Sequence, residues 1–426
     1  MTIAQRLRDV REGFERPFWV ANVSEVFERL SYYAAFASLT RYLNESLGLS
    51  AQQSTTLSGL FGGWVWFLAA FGGAVADKMG FRRALSLAYL ILSVSYFLIG
   101  SLGAPSLGPI RQSTSFVVIV GFVLMLPALG VALVKPCVVG TTARASKENV
   151  RSLGYSIYYT LVNIGSAGGP LVASWVHRNM SVENVYRVAA GSVFLMFFAV
   201  LILFKEPRKP GDAPPPTLAE SGRNFITVVT NPKFMTFLLI FSGFWVVYWQ
   251  EFITLPLYVV RYIDPKADTE GILVWGPVTV ICLTVLISLV TAKVASLKAV
   301  TLGTLISSLS WIVLIFMPSV RGAILTLVVL ALGEIVLSPR YYEYISRLAP
   351  PGQQGTYMGF AFLPIGIGSL IGGPFGGFLI HYFGEVKHQP VGMLWTIVGL
   401  GVLVAVGLWV YDKMLPTKAA EANAGA

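Results

Sequence analysis

Two carboxylates and a guanidinium interrupt the first long apolar run of the chain, which extends from Pro17 to Leu39. Glu25 and Glu28 are three residues apart and Arg29 follows Glu25 by four, so on a helix all three side chains share one face. Ionisable groups in an apolar helix are costly and persist mainly where they pair or face a water-filled cavity. The spacing predicts either a switchable ion-pair group that exchanges a proton or a static network that locks the helices together.

The composition indicates a helical membrane protein. The chain is 55% hydrophobic and 12% charged, whereas a soluble domain carries about 25% charged residues. Its apolar residues occur in runs long enough to cross a bilayer as helices. We predict an all-α integral membrane fold with twelve transmembrane helices. Their expected centres are near Arg29, Phe67, Leu92, Leu124, Asn163, Leu195, Val247, Cys282, Leu305, Glu334, Gly366 and Leu400.

The formal net charge of +10 reflects topology rather than nucleic-acid binding. Most lysines and arginines fall in alternate loops or helix ends on one side, and the opposite loops hold fewer. This is the positive-inside bias, which places both termini in the cytoplasm. The arm Met1–Arg16 carries four arginines and lacks a signal-peptide pattern. The one-sided basic residues include Lys78, Arg82, Arg83, Arg144, Lys147, Arg151, Lys205, Arg208 and Lys209.

No pattern in the sequence predicts a metal site, a cofactor or an enzyme. Cys137 and Cys282 both lie in apolar spans and read as small core residues without a disulfide. The three histidines are dispersed and give no ligand spacing. A phosphate-binding loop and a nucleophile–base arrangement are also absent from the sequence.

A polar, proline-rich segment divides the chain into two halves. We predict an N-terminal six-helix bundle over residues 1–204, a cytoplasmic linker over 205–231, and a C-terminal six-helix bundle with a short cytoplasmic tail over 232–426. Twenty-nine residues separate Pro136 from Gly165, and the same number separates Pro339 from Gly368. Two pseudo-symmetric bundles with matched proline and glycine positions are typical of transporters whose substrate site lies near the midplane of the membrane.

The loop after the second span carries a recognisable signature. The stretch from Gly73 to Arg83 reads GAVADKMGFRR and resembles the G-x-x-x-D-[RK]-x-G-x-[RK]-[RK] signature of the major facilitator superfamily. The resemblance implies that Asp77 and Arg83 gate the transporter, since a carboxylate near a helix N-terminus and a breakable ion pair can act as a latch. Arg340 follows Pro339 and is either a further gating residue or an arginine that reaches towards the interface.

Within that superfamily, motifs in both halves resemble the proton-dependent oligopeptide transporter (POT) family. Glu25, Glu28 and Arg29 match its E-x-x-E-R motif, and Lys135 matches the lysine of its I-K-P-N motif. The resemblance implies that these four residues couple transport to protons. Further matches are the tyrosine pair of the first span, the stretch from Tyr158 to Gly165, and the motifs F-W-x-x-x-E-Q and G-E-x-x-x-S-P. The expected substrate-binding residues are Arg29, Tyr32, Tyr33, Trp66, Lys135, Tyr159, Asn163, Trp245, Gln250, Glu334 and Ser338.

The two charges of a zwitterionic substrate suggest which of these residues binds each end of it. A cationic pole must face the substrate carboxylate, and an anionic pole must face the amine. Arg29 offers a two-pronged donor and Lys135 a point charge, so we expect them to bind the carboxylate. Glu334 lies in mid-span in the second half, so we expect it to bind the amine. Aromatic side chains can form pocket walls that accept varied groups.

The chain departs from the peptide-transporter pattern at several positions. Trp249 occupies the glutamate position of the seventh-span motif, with Glu251 nearby, and Ala361 replaces a tryptophan. Trp66 replaces a second-span tyrosine, and the eighth span lacks an asparagine. These departures leave the substrate open.

The sequence predicts a secondary active transporter of the bacterial inner membrane. We expect proton-coupled symport of di- or tripeptides, or of a peptide-like zwitterion, by a monomer working with a small-molecule substrate, protons and the lipid bilayer. One alternative is a proton-coupled exporter of a drug, siderophore or other metabolite with the same fold. Another is a membrane sensor that does not transport.

Overall fold

The structure, a computed structural model, describes residues 12–113, 115–207, 226–291, 293–350 and 354–415. Within these ranges the secondary structure is helical, with one isolated antiparallel bridge between Phe14 and Ser146. The chain forms two compact units. One contains residues 1–49 and 64–218, and the other contains residues 50–63 and 219–426.

The first unit is built from long helices joined by short turns. A π-helical turn over Tyr42–Ser46 extends the first helix, and short helices occur at Pro105–Leu107, Gly108–Arg111 and Glu148–Val150. Ser50 and the first part of the second helix, up to Gly63, belong to the other unit. The long helices are α1 (Arg16–Arg41), α2 (Ala51–Met79), α3 (Phe81–Ser101), α4 (Phe116–Arg144), α5 (Arg151–Asn179) and α6 (Val182–Leu203).

The second unit repeats this plan with more interrupted helices. Its main helices are α7 (Pro232–Tyr248), α8 (Trp275–Val290), α9 (Ser296–Leu309), α10 (Val320–Leu348), α11 (Leu363–Leu379) and α12 (Val391–Met414). Shorter helices extend them at Gln250–Ile253, Leu255–Tyr262, Thr269–Leu273, Trp311–Phe316, Gln354–Gly359, Phe360–Phe362 and Ile380–Val386.

The predicted all-helical membrane fold is confirmed. Among the described residues, nine helical segments are long and apolar enough to cross a membrane. Three further helices, α1, α2 and α5, contain 26, 29 and 29 residues and bring the long segments to the twelve expected. Glu25, Glu28 and Arg29 reduce the apolar character of α1, because charged residues are unfavourable in a bilayer.

Large apolar side chains lie exposed along the helices of both units. Phe122 is 67% exposed, Ile202 is 72% exposed and Phe316 is 78% exposed. In water such surfaces would favour association, but lipid covers them in a bilayer. The protein is therefore an integral membrane protein.

The predicted domain boundaries stay predictions. Most of the linker, residues 208–225, lies outside the described residues, as do the N-terminal arm up to residue 11 and the tail after residue 415. Asn231 begins the second series of helices by accepting a hydrogen bond from the backbone N–H of Phe234 at 3.1 Å, which is a standard helix N-cap. Pro232 follows at the first helical position, where its missing N–H costs nothing.

Glycines let α1 and α5 approach each other at backbone distance. A Cβ at Gly165 would lie 2.8 Å from the Cβ of Arg29 and 2.8 Å from the carbonyl oxygen of Val26. One turn later, a Cβ at Gly169 would lie 2.7 Å from the Cβ of Tyr33. Two glycines four residues apart form a small-residue face, which membrane helices use to pack closely. The glycine face of α5 thus sets the height and rotation of α1.

The second unit contains the corresponding contact between α7 and α11. Gly368 packs on the Cβ of Trp245, and a Cβ at Gly372 would lie 3.2 Å from the side-chain nitrogen of Gln250. Gly165 and Gly368 are the two residues matched by the 29-residue spacing in the sequence. Each unit therefore places its first helix against a glycine face of its fifth. On α11, Ser369 also donates a hydrogen bond to the carbonyl of Gly59 at 3.0 Å, which holds residues 50–63 within this unit.

We expect Gly169→Ala to lower the melting temperature in detergent, because the new methyl group would meet backbone atoms of α1. Overpacking of this kind costs about 1–3 kcal/mol. Gly168→Ala is the matched control, since its Cβ would meet only Leu30 Cδ1 at an ordinary 3.5 Å. Equal melting temperatures for the two variants would contradict the close approach of α1 and α5.

Candidate functional site

A buried ion pair lies in the middle of α1. Arg29 Nη2 donates to Glu28 Oε1 at 2.7 Å, and Arg29 Nε donates to Glu28 Oε2. The two side chains are 1% and 0% exposed. A two-pronged, charge-assisted contact of this kind is among the strongest hydrogen-bonded arrangements in proteins. Glu28 therefore compensates the charge that Arg29 brings into the bundle.

Glu25 lies one helical turn before this pair and has different partners. Its Oε1 accepts a weak hydrogen bond from the hydroxyl of Tyr158 on α5 at 3.5 Å. It interacts electrostatically with Lys135 and Arg29. Its Oε2 is buried and has no hydrogen-bond partner among the described residues. Glu25 thus retains a carboxylate oxygen that can accept a proton or a further donor.

Lys135 approaches the same group from α4. Its Nζ lies 5.1 Å from the ring centroid of Trp66 on α2, within the range of a cation–π interaction. Arg29 has a similar contact, with its Cζ 5.0 Å from the ring centroid of Tyr32. The first unit therefore brings together Glu25, Glu28, Arg29 and Lys135, the four residues predicted for proton coupling.

Polar contacts with three neighbouring helices hold α1 in place. Asn22 donates to Thr142 Oγ1 on α4 at 3.2 Å, and Tyr89 on α3 donates to Ser24 Oγ at 2.9 Å. Ser31 donates to the carbonyl of Ala189 on α6 at 3.4 Å. These bonds are buried, so each restricts the rotation of α1.

The second unit holds a separate acidic group. The hydroxyl of Tyr248 donates to Glu334 Oε2 at 3.1 Å. Glu251 is 5% exposed and interacts electrostatically with Glu334 and with Tyr248. Its Oε2 faces Gly276 on α8. Two carboxylates are therefore close to one tyrosine in this unit.

The profile of the Major Facilitator Superfamily matches residues 23–363, which is well over half of the chain. The chain belongs to the major facilitator superfamily.

Relatives of this transporter carry two kinds of name. Multidrug resistance protein MdtH of Aeromonas salmonicida is 25% identical over 337 residues, which cover 78% of this chain and 79% of the relative. The Di-/tripeptide transporter of Lactococcus lactis subsp. cremoris is 27% identical over 243 residues. That match covers 53% of this chain and 44% of the relative, so the chain matches less than half of that protein's length.

Solved structures similar to this transporter include members of the POT family. A POT family transporter in complex with a thioalcohol conjugated peptide has a TM-score of 0.77 and 18% sequence identity. A POT family transporter in complex with 5-aminolevulinic acid has a TM-score of 0.77 and 17% identity. Both matches cover 94% of this chain and 97% of the other. The predicted fold and the resemblance to POT family structures are confirmed.

The superfamily signature lies where α2 ends and α3 begins. Gly80 has a φ of 82°, a left-handed conformation that favours glycine. Both oxygens of Glu206 accept hydrogen bonds, from the backbone N–H groups of Phe81 and Arg82 at 2.9 Å each, and so cap α3. Arg83 lines a cavity beside Glu206. The side chain of Asp77 lies outside the described part of the structure.

The third predicted gating residue, Arg340, is held by two partners. Its Nη1 donates to Glu343 Oε2 at 2.7 Å, and its Nη2 donates to the carbonyl of Thr291 at 3.0 Å. It thus connects α10 to the residue that follows α8. The gating roles of Asp77, Arg83 and Arg340 stay predictions.

The remaining predicted substrate residues differ in their surroundings. Gln250 is 0% exposed, and its side-chain nitrogen donates to the carbonyls of Val246 and Gly372, so its amide already joins two helices. Asn163 donates to the carbonyl of Tyr159, and Tyr159 is 53% exposed. The others are Tyr33, Trp245 and Ser338, all partly buried, on α1, α7 and α10.

Sequence reasoning did not select three residues of these clusters. Tyr158, rather than the predicted Tyr159, faces Glu25. Tyr248 and Glu251 accompany Glu334, although Glu251 is shifted from the motif position. The spacing from Trp245 to Tyr248 and Glu251, three residues at each step, places all three along one side of a helix and could have identified them. Within the described residues no cluster of three or more metal-ligating side chains occurs.

We expect Glu28→Gln to destabilise the protein strongly, because it leaves the buried Arg29 charge without its carboxylate. Loss of one partner of a buried pair costs about 3–5 kcal/mol. The double variant Glu28→Gln with Arg29→Gln should lose less, since no charge is left uncompensated. Thermal melting of purified protein in detergent compares both variants with wild type.

Glu45→Gln is the matched control, because Glu45 pairs with Arg41 at the end of the same helical segment but is 42% exposed. Surface pairs contribute about 0–1 kcal/mol. If the Glu28 and Glu45 variants melt at the same temperature, the ion pair in α1 is not buried as described.

Proposed function

We propose that this protein is a proton-coupled symporter of di- or tripeptides or of a peptide-like zwitterion. The observation that carries the proposal is the charge group of the first unit. Arg29 is paired with Glu28 and Glu25 retains an unbonded oxygen, whereas Lys135 forms no ion pair in the described part of the chain. Such a group can take up a proton and a substrate carboxylate together.

The proposed coupling begins at the Arg29–Glu28 pair. A proton on Glu28 removes its negative charge and weakens its hold on Arg29. The guanidinium then offers its two parallel donors to a carboxylate of the substrate. When the substrate leaves, Glu28 releases its proton and the ion pair forms again. An unpaired charge is costly in the buried interior. Arg29 therefore needs a new anionic partner whenever Glu28 is protonated.

The acidic group of the second unit suits the other end of a zwitterion. Glu334 and Glu251 are both carboxylates, and Tyr248 is their hydrogen-bonding partner. An ammonium group brings the positive charge that these carboxylates lack among their described contacts. We therefore assign the substrate amine to Glu334, with Tyr248 orienting its carboxylate. Tyr32, Tyr33, Trp66, Tyr159, Asn163, Trp245, Gln250 and Ser338 remain the proposed lining of the site.

The comparisons support a transporter and favour two substrate classes. A similar structure holds a peptide conjugate and another holds 5-aminolevulinic acid, a small molecule with an amine and a carboxylate. A relative that matches more of this chain is named a multidrug resistance protein. An exporter of the same fold is therefore the second candidate, and the match to MdtH over 78% of the chain is the observation that favours it.

Several further features belong to this proposal. The protein acts without an enzymatic reaction or a bound cofactor and uses the proton gradient as its energy source. It works as a monomer in the bacterial inner membrane, with both termini in the cytoplasm. Residues 1–204 and 232–426 are its two bundles, and Asp77, Arg83 and Arg340 control its gates.

Substrate-driven proton movement tests the proposal directly. The protein is reconstituted in liposomes that enclose a pH-sensitive dye, and a dipeptide is added outside. Symport carries protons inward with the peptide, so the lumen should acidify in wild type and should not acidify in Lys135→Met. The sign does not depend on protein orientation in the vesicle. Alkalinisation of the lumen would instead establish an antiporter and favour export.

The assignment of the amine predicts how Glu334→Gln discriminates substrates. Wild type should prefer a dipeptide with a free amine over its N-acetylated form. Loss of a charged hydrogen-bond partner costs about 1.5–3 kcal/mol, so the KM for the free dipeptide should rise about tenfold or more. The KM for the acetylated peptide should change little.

Glu385→Gln is the control for this experiment, because Glu385 is exposed and pairs with Arg261 and His381. Its KM values should match those of wild type. A Glu334→Gln protein that still prefers the free amine would show that another group binds it.

A further inference from the structure

Trp66 is a predicted pocket residue whose ring faces Lys135, a cation of the proton-coupling group. We propose that Trp66 is a positioning residue that holds the Lys135 ammonium on its indole face and keeps it available to an anionic group of the substrate. The consequence for transport rests on the proposed function. The contact between Trp66 and Lys135 is a property of the first unit alone.

The geometry of the contact fits this role. The Lys135 nitrogen lies 5.1 Å from the Trp66 ring centroid, and indole is the aromatic group that attracts cations best. Lys135 interacts electrostatically with Glu25 and Glu28, yet it forms no ion pair with either in the described structure. The indole face offers the ammonium a stabilising position that does not consume a carboxylate.

The backbones of α2 and α4 bring the two residues together. Pro136 lies inside α4 and has no N–H, so the carbonyl of Ala132 four residues earlier loses its helical hydrogen bond. Gly72 on α2 packs directly on that carbonyl, at a distance that leaves no room for a Cβ. The close approach of the two helices therefore depends on a glycine in one and a proline in the other. It also places Lys135, the residue before the proline, within reach of Trp66.

The two cations of the group are thereby distinguished. Arg29 lies over Tyr32 but is also neutralised by Glu28. Lys135 lies over Trp66 without a bonded carboxylate, so it is the cation that can respond first to an incoming anion. The indole of Trp66 also interacts with Tyr32, which connects the two aromatic supports. The departure from tyrosine at position 66 thus has a physical role.

Residue-level labelling tests the contact without any substrate. Purified protein at pH 8 receives a limiting amount of acetic anhydride, and mass spectrometry measures acetylation of Lys135. Acetic anhydride reacts with the neutral amine, and the indole face stabilises the ammonium form. We expect Lys135 to be labelled about fivefold faster in Trp66→Leu and within about twofold of wild type in Trp66→Phe, because phenylalanine retains an aromatic face.

Trp64→Leu is the matched control on the same helix, since the Trp64 ring contacts Phe67 instead. Its Lys135 labelling should equal that of wild type. Equal rates in Trp66→Leu and Trp66→Phe would overturn the proposal, because bulk rather than the aromatic face would then protect the amine. If Trp66→Leu does not fold, Trp66→Met fills a similar space without a ring and takes its place.

Transport kinetics test the functional consequence. In Trp66→Leu the KM for a dipeptide should rise about fivefold with kcat within about twofold, and Trp66→Phe should restore the KM. A loss confined to kcat would contradict a role in presenting Lys135. If wild type moves no peptide, the proposed function fails, while the labelling rates still decide whether Trp66 positions Lys135.

Discussion

The cost of placing charge inside an apolar helix bundle governs the first unit. Arg29 is 1% exposed, and its guanidinium is tolerable only because Glu28 provides two parallel acceptors at the adjacent position. The remaining charges are arranged around this fixed pair. Glu25 accepts from Tyr158, and Lys135 rests on an aromatic ring. Because a proton on Glu28 would leave the buried Arg29 charge without its partner, one protonation event can redistribute the other charges.

Such an arrangement requires helices that approach more closely than ordinary side chains permit. Gly165 and Gly169 bring α5 against the backbone of α1 beside Arg29 and Tyr33, and Gly72 brings α2 against the freed carbonyl of Ala132. In a membrane, where apolar surface gains little from helix association, close packing and buried hydrogen bonds provide much of the stability. The glycines and prolines are therefore part of the site, since they set the distances between its charged groups.

Much of the fold and of the charge group could be predicted from the sequence, because membrane helices are long and apolar and carry glycine and proline at matched positions. The all-helical fold, the matched spacing around Gly165 and Gly368, and the grouping of Glu25, Glu28, Arg29 and Lys135 all follow from patterns in the chain. The rotation of each helix and the partner that each side chain contacts do not follow from these patterns. Spacing alone favours Glu25 and Arg29 as partners four residues apart, but the structure pairs Arg29 with Glu28, and Tyr158 rather than its neighbour Tyr159 faces Glu25. These choices depend on packing with α4 and α5, which no local pattern contains.

The two units differ in the balance of charge that they bury. The first unit places two cations beside two carboxylates, so internal pairing can neutralise it. In the second, Glu251 and Glu334 share Tyr248, and their described electrostatic contacts include no cation. A carboxylate that is buried without a cation gains more from an arriving ammonium than a carboxylate that already has one. In the proposed coupling, the first unit instead accepts an anion once a proton has weakened the hold of Glu28 on Arg29. This asymmetry supports the proposed assignment of proton coupling to the first unit.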